Sequence, residues 1–233
     1  RGTHKGIYAF QKMARKVSKN NTKICWVLKC DIKKFFASIN HEILLKILSK
    51  KITDEEFLEL LERIVDSFYS DRTTDPQNKK GIPIGNLTSQ FFANIYLNEF
   101  DQFMKHTLKV QYYIRYADDF AILSENKSYL DNLVSSIREF LISELDLELH
   151  PNKIIFRKFN SGVDFLGYVI FPHYVLPRTK TKQRLLRKIK KKIQEYKKGE
   201  ITSETLNQTI QSYLGYIGHA NSYNFRKELE NLI

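Results

Sequence analysis

The sequence predicts an α+β fold built on a ferredoxin-like split βαβ sheet. Three observations carry this. Apolar residues alternate between strand-like runs and helical spacing in the order strand, helices, strand, strand, helix, strand. A tight Ala117-Asp118-Asp119 segment separates the two middle strands as a hairpin turn would. A chain of 233 residues, 42% hydrophobic and 13% aromatic, can bury a sizeable core, which excludes a disordered chain.

Residues 8–17 have helical spacing and lead into a polar turn at 18–22. The run Ile24-Cys25-Trp26-Val27-Leu28-Lys29-Cys30-Asp31 reads as a buried strand, with Ile24, Trp26, Leu28 and Cys30 on one face and Asp31 on the other. A helix is expected from Asn40 toward Leu48. Asp54 caps a second, with Phe57, Leu58, Leu61, Ile64, Val65 and Phe68 at helical intervals. A charged loop at 71–80 ends in Gly81-Ile82-Pro83-Ile84-Gly85, and 88–104 is helical again. Strands are expected at 110–116 and 120–123. Leu130, Leu133, Val134, Ile137, Leu141 and Leu145 mark an amphipathic helix. Pro151 ends that region, strands follow at 154–156 and 163–170, and Pro172 and Pro177 punctuate a linker. Beyond lie a basic helix at 181–198 and a last helix capped by Thr202 or Ser203.

The net charge of +12 is uneven: residues 178–233 hold 13 Lys+Arg against 5 Asp+Glu, and residues 1–177 hold 25 against 21. A polyanion-binding arm on a near-neutral body would show this asymmetry, and so would a solvated charge-rich helix. Cys25 and Cys30 fit neither a disulfide framework nor a zinc pattern, and the six histidines show no ligand spacing. With no apolar run of roughly 18 residues, a cytoplasmic protein without a membrane partner is expected. The chain opens on the polar loop Arg1-Gly2-Thr3-His4-Lys5-Gly6 with no initiator methionine, so a core fragment is expected.

Asp31 ends the first buried strand, and Asp118 and Asp119 occupy the turn between the two middle strands. A split βαβ sheet makes these strands neighbours, bringing distant carboxylates to one sheet edge. Clustered acids repel and are costly to bury unpaired. A divalent cation resolves this, and hard oxygen ligands select Mg²⁺ or Mn²⁺. Two ions about 3.5–4 Å apart can activate a hydroxyl and stabilise a leaving pyrophosphate. An ordinary hairpin turn also uses Asp, so the pair by itself leaves both readings open.

The pair has company. Asp31-Ile32-Lys33-Lys34-Phe35-Phe36-Ala37-Ser38-Ile39 precedes Tyr116-Ala117-Asp118-Asp119, with Gly81-Ile82-Pro83-Ile84-Gly85-Asn86-Leu87-Thr88-Ser89-Gln90 between them. Leu147-Glu148-Leu149-His150-Pro151-Asn152-Lys153 and Phe165-Leu166-Gly167-Tyr168 follow. This ordered set resembles the palm of reverse transcriptases, motif by motif, over residues 24–170. The family is related to group II intron enzymes. Ile84-Gly85-Asn86-Leu87-Thr88-Ser89-Gln90 is similar to the aliphatic-Gly-x-x-x-Ser-Gln form of diversity-generating retroelements.

The resemblance implies a polymerase palm with a helical finger-side insertion and a C-terminal helical thumb. It assigns 1–23 to a remnant of the fingers, 24–158 to the palm, 159–177 to a primer-grip hairpin and linker, and 178–233 to a basic thumb. Asp31 and Asp118 would be the principal metal ligands, with Asp119 and the Ile32 carbonyl in support and two Mg²⁺ (Mn²⁺ as substitute) as cofactors. Lys153 would meet the leaving pyrophosphate. Phe36 would exclude a 2′-hydroxyl, with core packing as the competing role. Ile84, Gly85 and Gln90 would line the nascent pair, and Phe165, Leu166 and Gly167 would grip the primer. Lys182, Arg184, Arg187, Lys188 and Lys191 would contact nucleic-acid backbone. The expected activity is error-prone RNA-directed DNA synthesis for a prokaryotic or phage retroelement. Its partners would be an RNA template, a DNA or RNA primer, deoxynucleoside triphosphates and a small basic accessory protein. A non-catalytic nucleic-acid-binding palm–thumb module and a template-independent defence polymerase are the alternatives.

Overall fold

The computed structural model describes residues 2–68, 79–83, 85–218, 220, 221, 223 and 227. Ile84 and most of the charged 71–80 loop lie outside the described residues. The chain forms two compact units, a central one of Trp26–Phe156 and a terminal one that joins Arg1–Cys25 to Arg157–Ile233. It opens with α1 (Thr3–Val17) in the terminal unit.

In the central unit, β1 (Trp26–Asp31) is followed by a short helix α2 (Phe35–Ser38) and by α3 (His41–Ser49), α4 (Glu55–Asp66) and α5 (Leu87–Gln102). The hairpin β2 (Tyr113–Tyr116) and β3 (Asp119–Ser124) comes next, then α6 (Lys127–Leu145) and β4 (Ile155–Lys158), which runs through the unit boundary. The sheet order β2-β3-β1-β4 is the expected split βαβ topology. Polar caps set the helix starts: Asn40 accepts from the Ile43 N–H, Asp54 from Phe57 and Asn126 from Tyr129. Helices and sheet share one core, in which Phe100 meets Phe120 with ring centroids 5.0 Å apart, beside Leu28, Ile122, Leu133 and Ile137.

Several expectations need correction here. The first strand starts at Trp26, and Ile24 is 53% exposed. Only Leu61 and Val65 of α4 are buried, while Phe57 and Phe68 face outward. The strand expected at 110–116 starts at Tyr113. Lys109 adopts a left-handed φ of +51°, and the Val110 N–H bonds back to the Met104 carbonyl at 2.9 Å. It follows a π-helical turn, Phe103–Thr107, that extends α5 and is closed by the Leu108 N–H on the Phe103 carbonyl at 3.0 Å.

The terminal unit contains a three-stranded antiparallel sheet, β5 (Val163–Phe165), β6 (Tyr168–Ile170) and β7 (Val175–Pro177). The single strand expected at 163–170 is thus a hairpin, because Leu166 and Gly167 take left-handed φ values of +53° and +85°. Pro177 ends an edge strand and not a linker, a position where its missing N–H is tolerated. The basic helix α7 (Thr179–Lys197) and α8 (Ser203–Ile217) complete the unit, with the Thr202 hydroxyl accepting from the Thr205 N–H. Phe10 of α1 stacks on Phe165 at 5.4 Å, which ties the N-terminal helix to β5. Among the described residues no helix is long and apolar enough to cross a membrane.

Candidate active site

Antiparallel pairing of β1 with β3 runs from Trp26↔Ser124 to Asp31↔Asp119, so Asp31 and Asp119 face each other across the sheet end. The two-residue turn Ala117–Asp118 closes the β2–β3 hairpin beside them. Ala117 sits at φ +53°, a conformation that is costly for a residue with a Cβ and needs support. Arg115 supplies it. Its guanidinium donates to the Ala117 carbonyl at 3.0 Å and grips Asp101 of α5 through two bonds of 2.9 and 2.6 Å. The Tyr113 hydroxyl donates to the same carboxylate at 2.8 Å. Burial, together with that carboxylate, pushes the Tyr113 phenol upward and keeps it a donor.

The Ile32 N–H donates to the Asp118 carbonyl at 3.3 Å, which joins the turn to the end of β1. A segment after α6 runs alongside: the His150 N–H donates to the Asp31 carbonyl and the Lys33 N–H to the Glu148 carbonyl, both at 2.8 Å. The 3₁₀ turn Pro151–Lys153 then delivers Lys153, whose Nζ lies 2.8 Å from Asp31 Oδ1. Lys29, two residues before Asp31 and so on the same face, reaches Asp119 Oδ1 at 3.3 Å. Its side chain is only 17% exposed, and period-two alternation from Asp31 was the signal that could have found it. Lys33 bonds Glu148 at 2.7 Å outside this group.

Electrostatics follow from this crowding. Burial raises the Asp118 carboxyl above the usual carboxylate range, and the charges of Asp31 and Asp119 push the same way against its own backbone bond and Lys153. Lys153 moves upward, first through its bond to Asp31, and stays an ammonium at neutral pH. The donor set therefore suits a hard divalent cation, which would relieve repulsion that two lysines offset only in part. It is not a ready-made cage: among the described residues no three His, Cys, Asp or Glu form a metal-holding group. Cys30 and Cys25 are buried thiols, in no disulfide, pushed up to about 12 by burial, and so are poor ligands.

The remaining expected residues are placed as follows. Half-buried Phe36 packs on the core, its ring 5.4 Å from Phe35. Its carbonyl accepts the Ile82 N–H at 2.8 Å, which stitches the loop leading to Gly85 against α2. Buried His41 joins that loop to α4, contacting the Gly81 carbonyl at 2.7 Å and Asp66 at 3.2 Å. Gly85 has φ +108°, which a side chain rarely tolerates. Gln90 is exposed in the first turns of α5.

Phe165, Leu166 and Gly167 lie in the terminal unit, Phe165 in its core and the other two at the hairpin turn. The Arg178 N–H donates to the Gly167 carbonyl at 3.0 Å, and a Cβ on Gly167 would stand 2.9 Å from the Tyr216 hydroxyl. On α7, Arg184, Arg187, Lys188 and Lys191 are exposed and Lys182 is half-buried. Leu185 and Ile189 pack with Tyr213, Leu214 and Tyr216 of α8.

The family model for reverse transcriptase (RNA-dependent DNA polymerase) matches residues 2–170. The chain belongs to the reverse transcriptase family. This reverse transcriptase chain is 24% identical over 227 residues to the putative COX1/OXI3 intron 2 protein of Saccharomyces cerevisiae, a match covering 73% of the chain and 26% of the relative. It is 26% identical over 175 residues to protein YkfC of Escherichia coli, covering 61% of the chain and 46% of the relative. It is 23% identical over 207 residues to the group II intron-encoded protein LtrA of Lactococcus lactis subsp. cremoris, covering 62% and 35%. The chain thus spans between a quarter and a half of the length of these relatives. Apo telomerase from Candida tropicalis shares its fold, with a TM-score of 0.57 at 14% identity over 78% of this chain and 36% of that one.

Proposed function

We propose that the chain is the catalytic portion of an RNA-directed DNA polymerase that serves a prokaryotic or phage retroelement of the diversity-generating type. The observation that carries this is the convergence of Asp31, Asp118, Asp119 and Lys153 at one sheet end in a chain of this family. Two Mg²⁺, or Mn²⁺ in their place, would be held by Asp31 and Asp118 with Asp119 and the Ile32 carbonyl in support, and when bound would ease deprotonation of a primer 3′-hydroxyl and offset charge on pyrophosphate. Lys153 enters as an ammonium and serves as acid or counter-charge for the leaving group. Phe36, held in α2 next to the stitched Ile82 segment, excludes a ribose 2′-hydroxyl from the incoming nucleotide. Ile84 offers the nascent pair packing without a directional hydrogen bond, which lowers discrimination and makes copying error-prone.

RNA template and primer are held through the exposed cations of α7, whose phosphate contacts need no base specificity. The hairpin around Leu166 and Gly167 holds the primer end, and a small basic protein assists the retroelement's RNA. The test is primer extension on a defined RNA template with Mg²⁺ and four deoxynucleotides, run with this chain and with any native N-terminal extension added. Template-directed product that disappears in Asp118→Ala is expected. Salt-sensitive RNA–DNA binding without product from either form would overturn the polymerase reading and leave a binding module.

A further inference from the structure

The first acidic residue of the chain is Asp31, and the 30 residues before it hold eight Lys+Arg. Much of that charge lies on α1, which buries Ile7, Phe10, Ala14 and Val17 and turns another face outward. At about 100° per residue, Tyr8, Lys12 and Arg15 lie close together on the outward face, flanked by Lys5 and Lys16. They border a groove of about 390 Å³, lined by Tyr8, Gln11, Lys12, Arg15, Lys16 and Lys19. Lys19, Asn20 and Asn21 follow one another with left-handed φ values of 47°, 58° and 69°, curling the chain back after the helix. The curl is fixed by the Asn20 N–H on the Arg15 carbonyl at 2.8 Å and the Asn21 N–H on Ser18 Oγ at 2.9 Å.

Among the described residues no carboxylate pairs with Lys12, Arg15, Lys16 or Lys19. The helix dipole accounts for cations in the last turn, Arg15 and Lys16, but not for Lys12 a turn earlier. Nor does it account for Tyr8, an aromatic side chain 70% exposed between them. A membrane surface would want apolar side chains to bury, and Tyr8 is the only large one that α1 exposes. Unpaired cations around one aromatic face, with the side-chain amide of Gln11 beside them, match a single strand of nucleic acid. Phosphates take the cations and an unpaired base stacks on the ring.

We propose that the outward face of α1 is a second RNA-binding surface, separate from α7, that takes a single-stranded segment across Tyr8, Lys12, Arg15 and Lys16. It rests on the polymerase reading only for the choice of RNA as the polyanion. The test is fluorescence anisotropy of the whole chain with a short oligouridine across a KCl series, with anionic phosphatidylserine vesicles as a parallel ligand. Lys12→Ala/Arg15→Ala/Lys16→Ala keeps helix propensity, so the variant should fold. It is expected to lower the slope of log affinity against log salt by about 2 and to weaken binding at least about tenfold at physiological salt. Tyr8→Ala is expected to weaken binding about tenfold with the slope unchanged. Lys12→Arg/Lys16→Arg keeps both slope and affinity.

An unchanged slope in the triple variant overturns the proposal, as does a triple variant that loses vesicle binding while RNA binding stays intact. The readout needs no catalysis. A chain that binds through α1 yet never extends a primer would sink the polymerase reading alone, and an active chain with an unchanged slope would sink this one alone.

Discussion

The two compact units of this reverse transcriptase chain differ most in charge. Trp26–Phe156 carries 16 Lys+Arg against 20 Asp+Glu, whereas Arg1–Cys25 with Arg157–Ile233 carries 22 against 6. The net charges are therefore −4 and +16. A site that gathers carboxylates for cations is poorly served by a surrounding field of fixed positive charge, while a surface that attracts phosphates needs that field. In the function proposed above, dividing the two requirements between units lets each be met. Within the central unit positive charge comes near the carboxylates as single lysines, Lys153 on Asp31 and Lys29 on Asp119.

The division can be broken at several points. The largest effect is expected from Asp118→Asn, which should lower primer extension by about 10³-fold or more while leaving template–primer affinity near that of the parent. Arg115→Met comes next. It leaves Asp101 and the Ala117 carbonyl without their shared donor, and loss of one member of such a buried pair should cost about 3–5 kcal/mol, read as a shift in denaturant midpoint. Arg115→Lys should recover only part of this, because an ammonium cannot make the two-pronged contact. In the terminal unit, replacing Arg184, Arg187, Lys188 and Lys191 by Ala should lower the salt slope of template–primer binding by about 3, at about 0.7–0.9 per contact. Gly167→Ala places a Cβ at φ +85° and against Tyr216, and should destabilise by about 1–2 kcal/mol.

The smallest effect sharpens the comparison most. The Asp118 carboxyl titrates above its unfolded value, so its protonated form favours the fold. That contribution is present below the unfolded pKa and is lost as pH rises through the folded one, leaving an unfavourable charge at neutral pH. Asp118→Asn, though inactive, should therefore melt about 1–3 °C higher than the parent at neutral pH. The gain should vanish in acid, below about pH 4. Thermal melts across a pH series would show it.

The central unit was largely legible in the sequence because its strands and helices have clean periods and α3, α4 and α6 carry Asn or Asp caps. The convergence of Asp31 and Asp118 followed from topology. The terminal sheet was not legible in the apolar periodicity, and only the family resemblance pointed to a hairpin within 159–177. Val163 to Ile170 is almost continuously apolar, and its turn begins with Leu166, a residue that gives no turn signal even though it adopts φ +53°. Pro177 read as a linker because an edge strand tolerates proline as readily as a loop does. The basic character of α1 was hidden by averaging: residues 1–30 are as positive as residues 178–233, but the acidic central unit cancels them in any count over 1–177. Lys29 was open to period-two alternation from Asp31, whereas the value of Arg115 lies in its contact with Asp101, which the sequence does not place beside it.

The most direct test of this division of labour measures binding and extension on one preparation of Asp118→Asn beside the parent. Template–primer affinity would be taken over a salt series, and single-turnover extension at saturating chain. An affinity and salt slope that match the parent, with extension reduced about 10³-fold, is the predicted result. Extension within about tenfold of the parent would contradict it, because the carboxylates at the sheet end would then not carry the chemistry.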